Sequence, residues 1–424
     1  MPALPGGRDV QSTPMSVYLD HAATTPLRPE ALEAMLPVLT ENFGNPSSAH
    51  VFGRRARAAL DEAHEVVAAS LGAGPREIVF TSGGTEAINL ALKGVAWAGK
   101  TYGNQLITTA VEHHATLHAA RYLEKFGFEV VELPVDRYGR VDPDELAAAI
   151  TDRTVLVSVI LANNEVGTIQ PVREIARRVR HHRRVLLHVD AVQAPAYLPL
   201  DVGELDVDLL SIGGHKFEGP KGSGALFVKA GTTILAQSQG GSQERHRRAG
   251  TEDVAGAVGM ATALRLAVAE RVETARRVRR LRERLREALV ALPGVELTGH
   301  PQERLPGVLS IVARELQGSA LQMALDLEGL ACSTGSACAS GSDEPSHVLT
   351  SMGFPEEEAR GALRLSLGRT TTEEDVAFAC QLVPAVIARQ REGAAALAAE
   401  STDGPPRVED AGATVHPSGQ EVGA

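Results

Sequence analysis

Lys216 closes the run Ser211-Ile212-Gly213-Gly214-His215-Lys216, and Asp190 closes His188-Val189-Asp190, 26 residues earlier. Each follows an apolar, β-branched stretch, and the carboxyl edge of a parallel sheet is where α/β proteins usually bind ligands. A third run, Thr81-Ser82-Gly83-Gly84-Thr85-Glu86, follows a strand and opens a helix. Glycines there let a ligand approach the backbone, and the free N–H groups at a helix start attract phosphate. Read singly, each has a plainer explanation: a solvated lysine, a helix N-cap, an ordinary glycine turn. Taken together they meet the needs of pyridoxal phosphate, which wants an amine for its aldehyde, a carboxylate for its pyridine nitrogen and a cup for its phosphate. Neither this run nor Gly219-Pro220-Lys221-Gly222-Ser223-Gly224 follows the P-loop pattern, and the second also fails the dinucleotide pattern.

Cys338 lies in Ser333-Thr334-Gly335-Ser336-Ala337-Cys338-Ala339-Ser340-Gly341-Ser342, with only small residues around it. A structural cysteine is normally packed among large apolar side chains, so this one reads as an accessible, reactive thiol on a mobile loop. Cys332 and Cys380 read as packed thiols, since no further cysteine or clustered histidine completes a zinc set. His113-His114 stays ambiguous, and His181-His182 reads as solvated surface.

The elements that must position these groups alternate between strand and helix. Short β-branched runs at Glu77–Thr81, Gln105–Thr109, Glu129–Leu133, Thr154–Leu161, Val185–Val189 and Val207–Ile212, with Gly224–Val228 close behind, read as strands, and several are continuously apolar, as expected for burial on both faces. Stretches such as Thr85–Ala98 and Val172–His181 have helical spacing, so the expectation is an α/β, mostly parallel sheet wrapped by helices. Residues 262–292 read as one long Arg-rich amphipathic helix, followed by the shorter strand runs Gly307–Val312 and Ala362–Ser366. The expected organisation is a leader (1–14), a large domain (15–260), a smaller α+β domain (261–395) and a disordered acidic tail (396–424). Residues 15–27 are expected to pack with the smaller domain, and 333–342 form the cysteine loop. The tail has five acidic residues against Arg407 and almost no large apolar side chain, too little to offset its ordering entropy.

Composition sets outer limits. The 424 residues are 43% hydrophobic and 22% charged, as in globular proteins. A net charge of −11 argues against a general nucleic-acid or anionic-membrane binder. No apolar stretch approaches the ~20 residues that span a bilayer. The start has no secretory pattern, and three cysteines make no disulfide framework, so a reducing, cytoplasmic setting is the expectation.

The chain resembles the cysteine desulfurases of the IscS/NifS type, within the class-V aminotransferase group of fold-type-I pyridoxal phosphate enzymes. The resemblance rests on YLDHAATTP (18–26), FGNPSS (43–48), REIVFTSGGTEAINLA (76–91), TTAVEHHA (108–115), NNEVGTIQP (163–171), HVDAVQ (188–193), GGHKFEGPKGSGAL (213–226), RAGTED (248–253), STGSACASGSDEPSHVL (333–349) and LRLSLGRTTTEED (363–375). It implies a large domain with a seven-stranded sheet and a smaller α+β domain.

The same resemblance implies roles. Lys216 binds the coenzyme covalently, Asp190 pairs with its ring nitrogen, Gln193 bonds its phenolic oxygen and His113 stacks on the ring. Gly84, Thr85 and His215 cradle the phosphate, and Thr251 reaches that of a neighbouring subunit, which implies a homodimer. Asn164 and Arg364 orient the substrate carboxylate, for which an arginine fork is suited. Cys338 accepts sulfur from L-cysteine, leaving alanine, and passes it to an acceptor such as an iron–sulfur scaffold or a tRNA-thiolation enzyme. No metal, nucleic acid or membrane partner is implied. One departure is Gly213, where many relatives carry a serine that helps hold the phosphate. Competing readings are a selenocysteine lyase, another class-V enzyme such as a small-amino-acid aminotransferase, and a non-catalytic scaffold.

Overall fold

The computed structural model describes residues 16–335 and 344–402, the last seven of these as backbone only. The leader, most of the cysteine loop with Cys338, and the tail beyond Thr402 lie outside the described residues.

The chain opens with a two-residue strand, β1 (Val17–Tyr18). Seven strands then build the main sheet: β2 (Ile78–Thr81), β3 (Gln105–Thr109), β4 (Glu129–Leu133), β5 (Thr154–Ile160), β6 (Leu186–Asp190), β7 (Leu209–Gly213) and β8 (Gly224–Val228). Their order is β2-β8-β7-β6-β5-β3-β4. β8 runs antiparallel to both β2 and β7, and the other pairs are parallel. Six strands therefore point the same way. All seven residues of β5 are buried, as are all five of β3, β7 and β8, because helices cover both faces. β4, at the edge, alone leaves charged side chains exposed along its length.

A second layer follows from β9 (Val295–Leu297), β10 (Val308–Ala313), β11 (Leu330–Ala331) and β12 (Ala362–Ser366). β9, β10 and β12 form an antiparallel sheet in the order β12-β10-β9, and β1 pairs in parallel with β11. Leu19 packs into the core beneath this sheet, with Leu281, Leu309, Leu365 and Val383.

The helix Val254–Val290 links the two layers. At 1.5 Å per residue its 37 residues extend about 55 Å. Its first turns, with Met260 and Leu264, pack in the main core, and Val278, Leu281, Leu285 and Leu289 pack in the second. It starts eight residues before the helix read from the sequence, where Asp253 caps it by accepting from the Gly256 N–H at 2.9 Å. The last helix, Glu373–Thr402, runs past residue 396, where the sequence reading began the tail. The alanine-rich run there has high helix propensity, which low apolar content alone did not reveal. The short strands β1, β9 and β11 also escaped sequence reading, since two or three residues carry no periodic signal.

Candidate active site

The carboxyl ends of β2, β3, β5, β6 and β7 face one cavity of about 370 Å³, whose wall also includes Gly335, His347 and Arg364. Asp190, the last residue of β6, is buried, and its Oδ1 accepts from the Val192 N–H at 3.0 Å. Burial pushes its pKa up to about 6, against the Val192 N–H and nearby Lys216. A cation brought against it would restore its charge. Beneath it, His188 spans three strands, with Nδ1 2.8 Å from Ser158 Oγ on β5 and Nε2 2.8 Å from Ser211 Oγ on β7. Burial drives the His188 pKa down to about 3, so this brace is neutral.

β7 ends at Gly213 and leads into a single 3₁₀ turn, Gly214–Lys216, which carries Lys216 to the cavity. Lys216 Nζ donates to the carbonyls of Ala22 at 2.5 Å and Ala23 at 2.7 Å. Gln193 Nε2 donates to the same Ala22 carbonyl at 2.9 Å, and His215 Nδ1 lies 3.1 Å from Thr24 Oγ1. The segment from Ala22 to Thr24 is thus a positioning loop that the residue-by-residue reading passed over, although YLDHAATTP was visible as a motif. Its carbonyls carry no side-chain signal.

β2 leads through Ser82 and Gly83 into the helix Gly84–Gly99. Gly83 has φ 147°, which a side chain would not tolerate. A Cβ at Gly84 would lie 2.5 Å from Val192 Cγ2. Glycine is therefore required at both positions opening the helix, Gly83 by its backbone angle and Gly84 by its close approach to Val192. His113 caps the helix His114–Glu124, its Nδ1 accepting from the Ala115 N–H at 3.1 Å. Burial, then Lys216 and neighbouring histidines, push its pKa down to about 4. It is neutral at pH 7, and with Nδ1 accepting, its proton sits on Nε2. Behind it, buried Glu112 accepts from Thr109 Oγ1 at 2.6 Å and from the Ile160 N–H at 2.9 Å, joining the ends of β3 and β5.

Arg364, on β12, reaches the cavity from the second sheet and is 1% exposed. Its Nη1 donates to the Asn164 carbonyl at 2.9 Å and its Nη2 to Asp20 Oδ1 at 2.8 Å. Among the described residues its buried Nε has no hydrogen-bond partner. An acceptor such as a carboxylate fits that open donor.

Lys216, Asp190, Gln193, His113, Gly84, Thr85, Asn164, His215 and Arg364 all line this cavity. Thr251 is exposed and does not line it. Cys332 is buried in the second core, its thiol pushed up to about 12 by burial. Cys380 is half-buried against the Arg284 carbonyl. Two wall residues, His114 and His347, were not singled out as site residues; their rings lie 4.6 Å apart, and His347 Nε2 is 3.0 Å from the Glu112 carbonyl. Among the described residues, no group of three or more His, Cys, Asp or Glu could hold a metal ion.

A sheet that brings lysine, buried carboxylate and bare helix start to one edge defines a fold-type-I pyridoxal phosphate enzyme. The aminotransferase class-V family matches residues 17–378. A cysteine desulfurase IscS of Methanosarcina thermophila is 49% identical over 385 residues, covering 91% of this chain and 95% of the relative. Another from Dictyoglomus turgidum is 49% identical over 88% of this chain and 95% of its own. Among solved structures, a NifS-like protein superposes with TM-score 0.84 at 40% identity, covering 88% of this chain and 100% of the other. A NifS-like protein from Rickettsia africae gives TM-score 0.79 at 30% identity, covering 88% and 99%. The chain belongs to the aminotransferase class-V family and, within it, to the IscS-type cysteine desulfurases.

The coenzyme of this family is pyridoxal phosphate, and the cavity fits it. Asp190 is a buried carboxylate whose charge calls for a cation, Lys216 supplies an amine, and the Gly83-Gly84 start supplies unscreened N–H groups. Gly213 bears on the fit. A Cβ there would sit 3.4 Å from the Gly84 nitrogen and 3.5 Å from Val192 Cγ1, ordinary contact distances. Gly213→Ser is therefore expected to fold normally and add one charge-assisted hydrogen bond to the phosphate. At ~1.5–3 kcal/mol for such a bond, coenzyme dissociation should slow at least about tenfold, read from the rate of apoenzyme formation.

Proposed function

We propose that the protein is a pyridoxal phosphate-dependent cysteine desulfurase in which Cys338 receives the sulfur of L-cysteine. The observation that carries this reading is the convergence of Lys216, Asp190 and Arg364 on one cavity that has Gly335 in its wall. Cys338 follows Gly335 by three residues in the sequence.

When bound, the coenzyme supplies an aldehyde that holds the substrate amine and a cationic ring that draws electrons from the bonds at its Cα. Asp190 keeps that ring cationic. Arg364, with the Asn164 carbonyl fixing its guanidinium, orients the substrate carboxylate. Lys216 Nζ takes the proton from the substrate Cα, an act for which its place beside two carbonyls holds it ready. His113, neutral and protonated on Nε2, is a proton donor toward the substrate. Gly84, Thr85 and His215 hold the phosphate, and Gln193 holds the phenolic oxygen.

Cys338 attacks the substrate sulfur as the thiolate. The new S–S bond forms as the substrate's C–S bond breaks, and the proton given up by Cys338 is balanced by the hydrogen gained at the alanine methyl. The enzyme is left with a persulfide. The test is to incubate holoenzyme with L-cysteine and a thiol reductant. Alanine and sulfide should appear in equal amounts, and sulfide without alanine would refute the reading.

Arg364→Lys is expected to raise KM for cysteine about 10–100-fold while leaving the coenzyme bound, because a point charge replaces a planar fork. Steady-state kinetics check this. A homodimer is supported by the exposed apolar residues Leu36, Leu39, Phe43 and Phe52, with Phe43 68% exposed and stacked on Phe52. In such a dimer the exposed Thr251 serves the other subunit's phosphate. The acceptor is a sulfur-carrying protein such as an iron–sulfur scaffold or a tRNA-thiolation enzyme. No described helix is long and apolar enough to cross a membrane, and a cytoplasmic place is in keeping with a thiol chemistry that needs reduced cysteine. A division into a large coenzyme domain and a smaller domain is supported by the two cores, which the helix Val254–Val290 joins.

A further inference from the structure

Behind Lys216, on the side away from the cavity, charged side chains from separate parts of the chain meet. Arg28 precedes the helix Pro29–Thr40 and is 2% exposed; Glu218 stands two residues after Lys216 and is 7% exposed. Arg369 lies on the segment leaving β12, five residues after Arg364. Glu218 Oε2 is 2.6 Å from Arg369 Nε and 3.5 Å from Arg28 Nε. Arg28 Nη2 also reaches Glu270 at 2.5 Å. The Glu218 backbone is held as well: its N–H donates to Thr25 Oγ1 at 2.9 Å and its carbonyl accepts from the Arg28 N–H at 2.9 Å. Glu218 has φ 65°, the left-handed region that a glutamate avoids unless its surroundings hold it there. The space among these groups is about 30 Å³, room for roughly one water, so their charges serve one another and not a ligand.

Lys216 is built on the main sheet through β7, and Arg364 on the second sheet through β12. A substrate must touch both at once, so the separation between the sheets sets how well it is oriented. We propose that the Glu218–Arg369 ion pair is a positioning clamp that fixes the distance between Lys216 and Arg364. The proposal rests on the reading of Arg364 as the carboxylate site. A clamp of this kind acts on orientation, where small displacements weaken binding and reaction.

The test uses holoenzyme carrying Glu218→Gln, Arg369→Gln or both. Each single variant should raise KM for cysteine about five- to tenfold with kcat within about twofold. Affinity for L-alanine, followed by coenzyme absorbance, should weaken by the same factor. The double variant should be no worse than the worse single, as for two halves of one contact, and Arg369→Lys should recover part of the loss. Unchanged KM and alanine affinity, or a double variant equal to the product of the singles, would overturn the clamp. Should Glu218→Gln fail to fold, Arg369→Gln, whose side chain is 36% exposed, reads the same contact and decides it alone. If Arg364→Lys raises KM while Arg369→Gln does not, the clamp alone is refuted. If Arg364→Lys also leaves KM unchanged, the carboxylate reading falls and takes the clamp with it.

Discussion

Lys216→Ala is expected to lose desulfurase activity by at least about 10⁴-fold, beyond the range of most single general bases because two functions go together. In the proposed mechanism Nζ is both the point of attachment for the coenzyme and the base at the substrate Cα. Alanine removes both and leaves the Ala22 carbonyl with Gln193 Nε2 as a donor at 2.9 Å. The turn that carries Lys216 is held by the Gly214 N–H donating to the Ser223 carbonyl at 2.9 Å, and by Thr25 Oγ1 donating to the His215 carbonyl at 2.8 Å. Those bonds survive the substitution, so thermal unfolding should move little while alanine production from cysteine disappears. Lys216→Arg keeps the charge but not an amine of ordinary basicity, and should be as inactive. Persistence of more than about one per cent of wild-type turnover in either variant would remove Lys216 from the chemistry.

Cys338→Ser should lower sulfide and alanine formation at least about 100-fold while leaving the coenzyme and cysteine bound. A hydroxyl at that position has neither the low pKa nor the nucleophilicity of a thiolate. The described cavity wall, which includes Ala22, Asp190, Lys216 and Arg364, is unchanged in type by the substitution, so cysteine should still perturb the coenzyme absorbance in the variant at close to its wild-type affinity. That separation distinguishes a missing sulfur acceptor from a damaged pocket. Cys332 cannot substitute, since it is buried in the second core and its thiol is pushed up to about 12. Turnover of Cys338→Ser at the wild-type rate would mean that sulfur leaves without a protein thiol.

Residues proposed to meet the coenzyme announce themselves in the sequence because their chemistry restricts their type. A lysine and an aspartate at two strand ends, with a glycine pair opening a helix, are legible in the sequence alone. Strand runs such as Gln105–Thr109 and Gly224–Val228 match to the residue, the first through its β-branched Ile107, Thr108 and Thr109 and the second through an unbroken run without polar side chains. The supports were harder to read. Ala22 and Ala23 act through carbonyls, which every residue has. His188 looked like part of a strand, and its bridge between Ser158 and Ser211 depends on register across three strands. Glu218 and Arg369 are 151 positions apart, and nothing local connects them. The dividing point between the cores fell inside the helix Val254–Val290, whose amphipathic face changes partner partway along. Periodicity finds a helix but not what each of its halves packs against.

Single-turnover transfer from cysteine labelled with radiosulfur, followed by digestion without reductant and mapping of the labelled peptide, tests the sulfur route most directly. Label is expected on the peptide that contains Cys338, in proportion to the alanine released, and to vanish from it on treatment with a thiol reductant. Label on the peptides of Cys332 or Cys380, or alanine released with no labelled peptide at all, would contradict it.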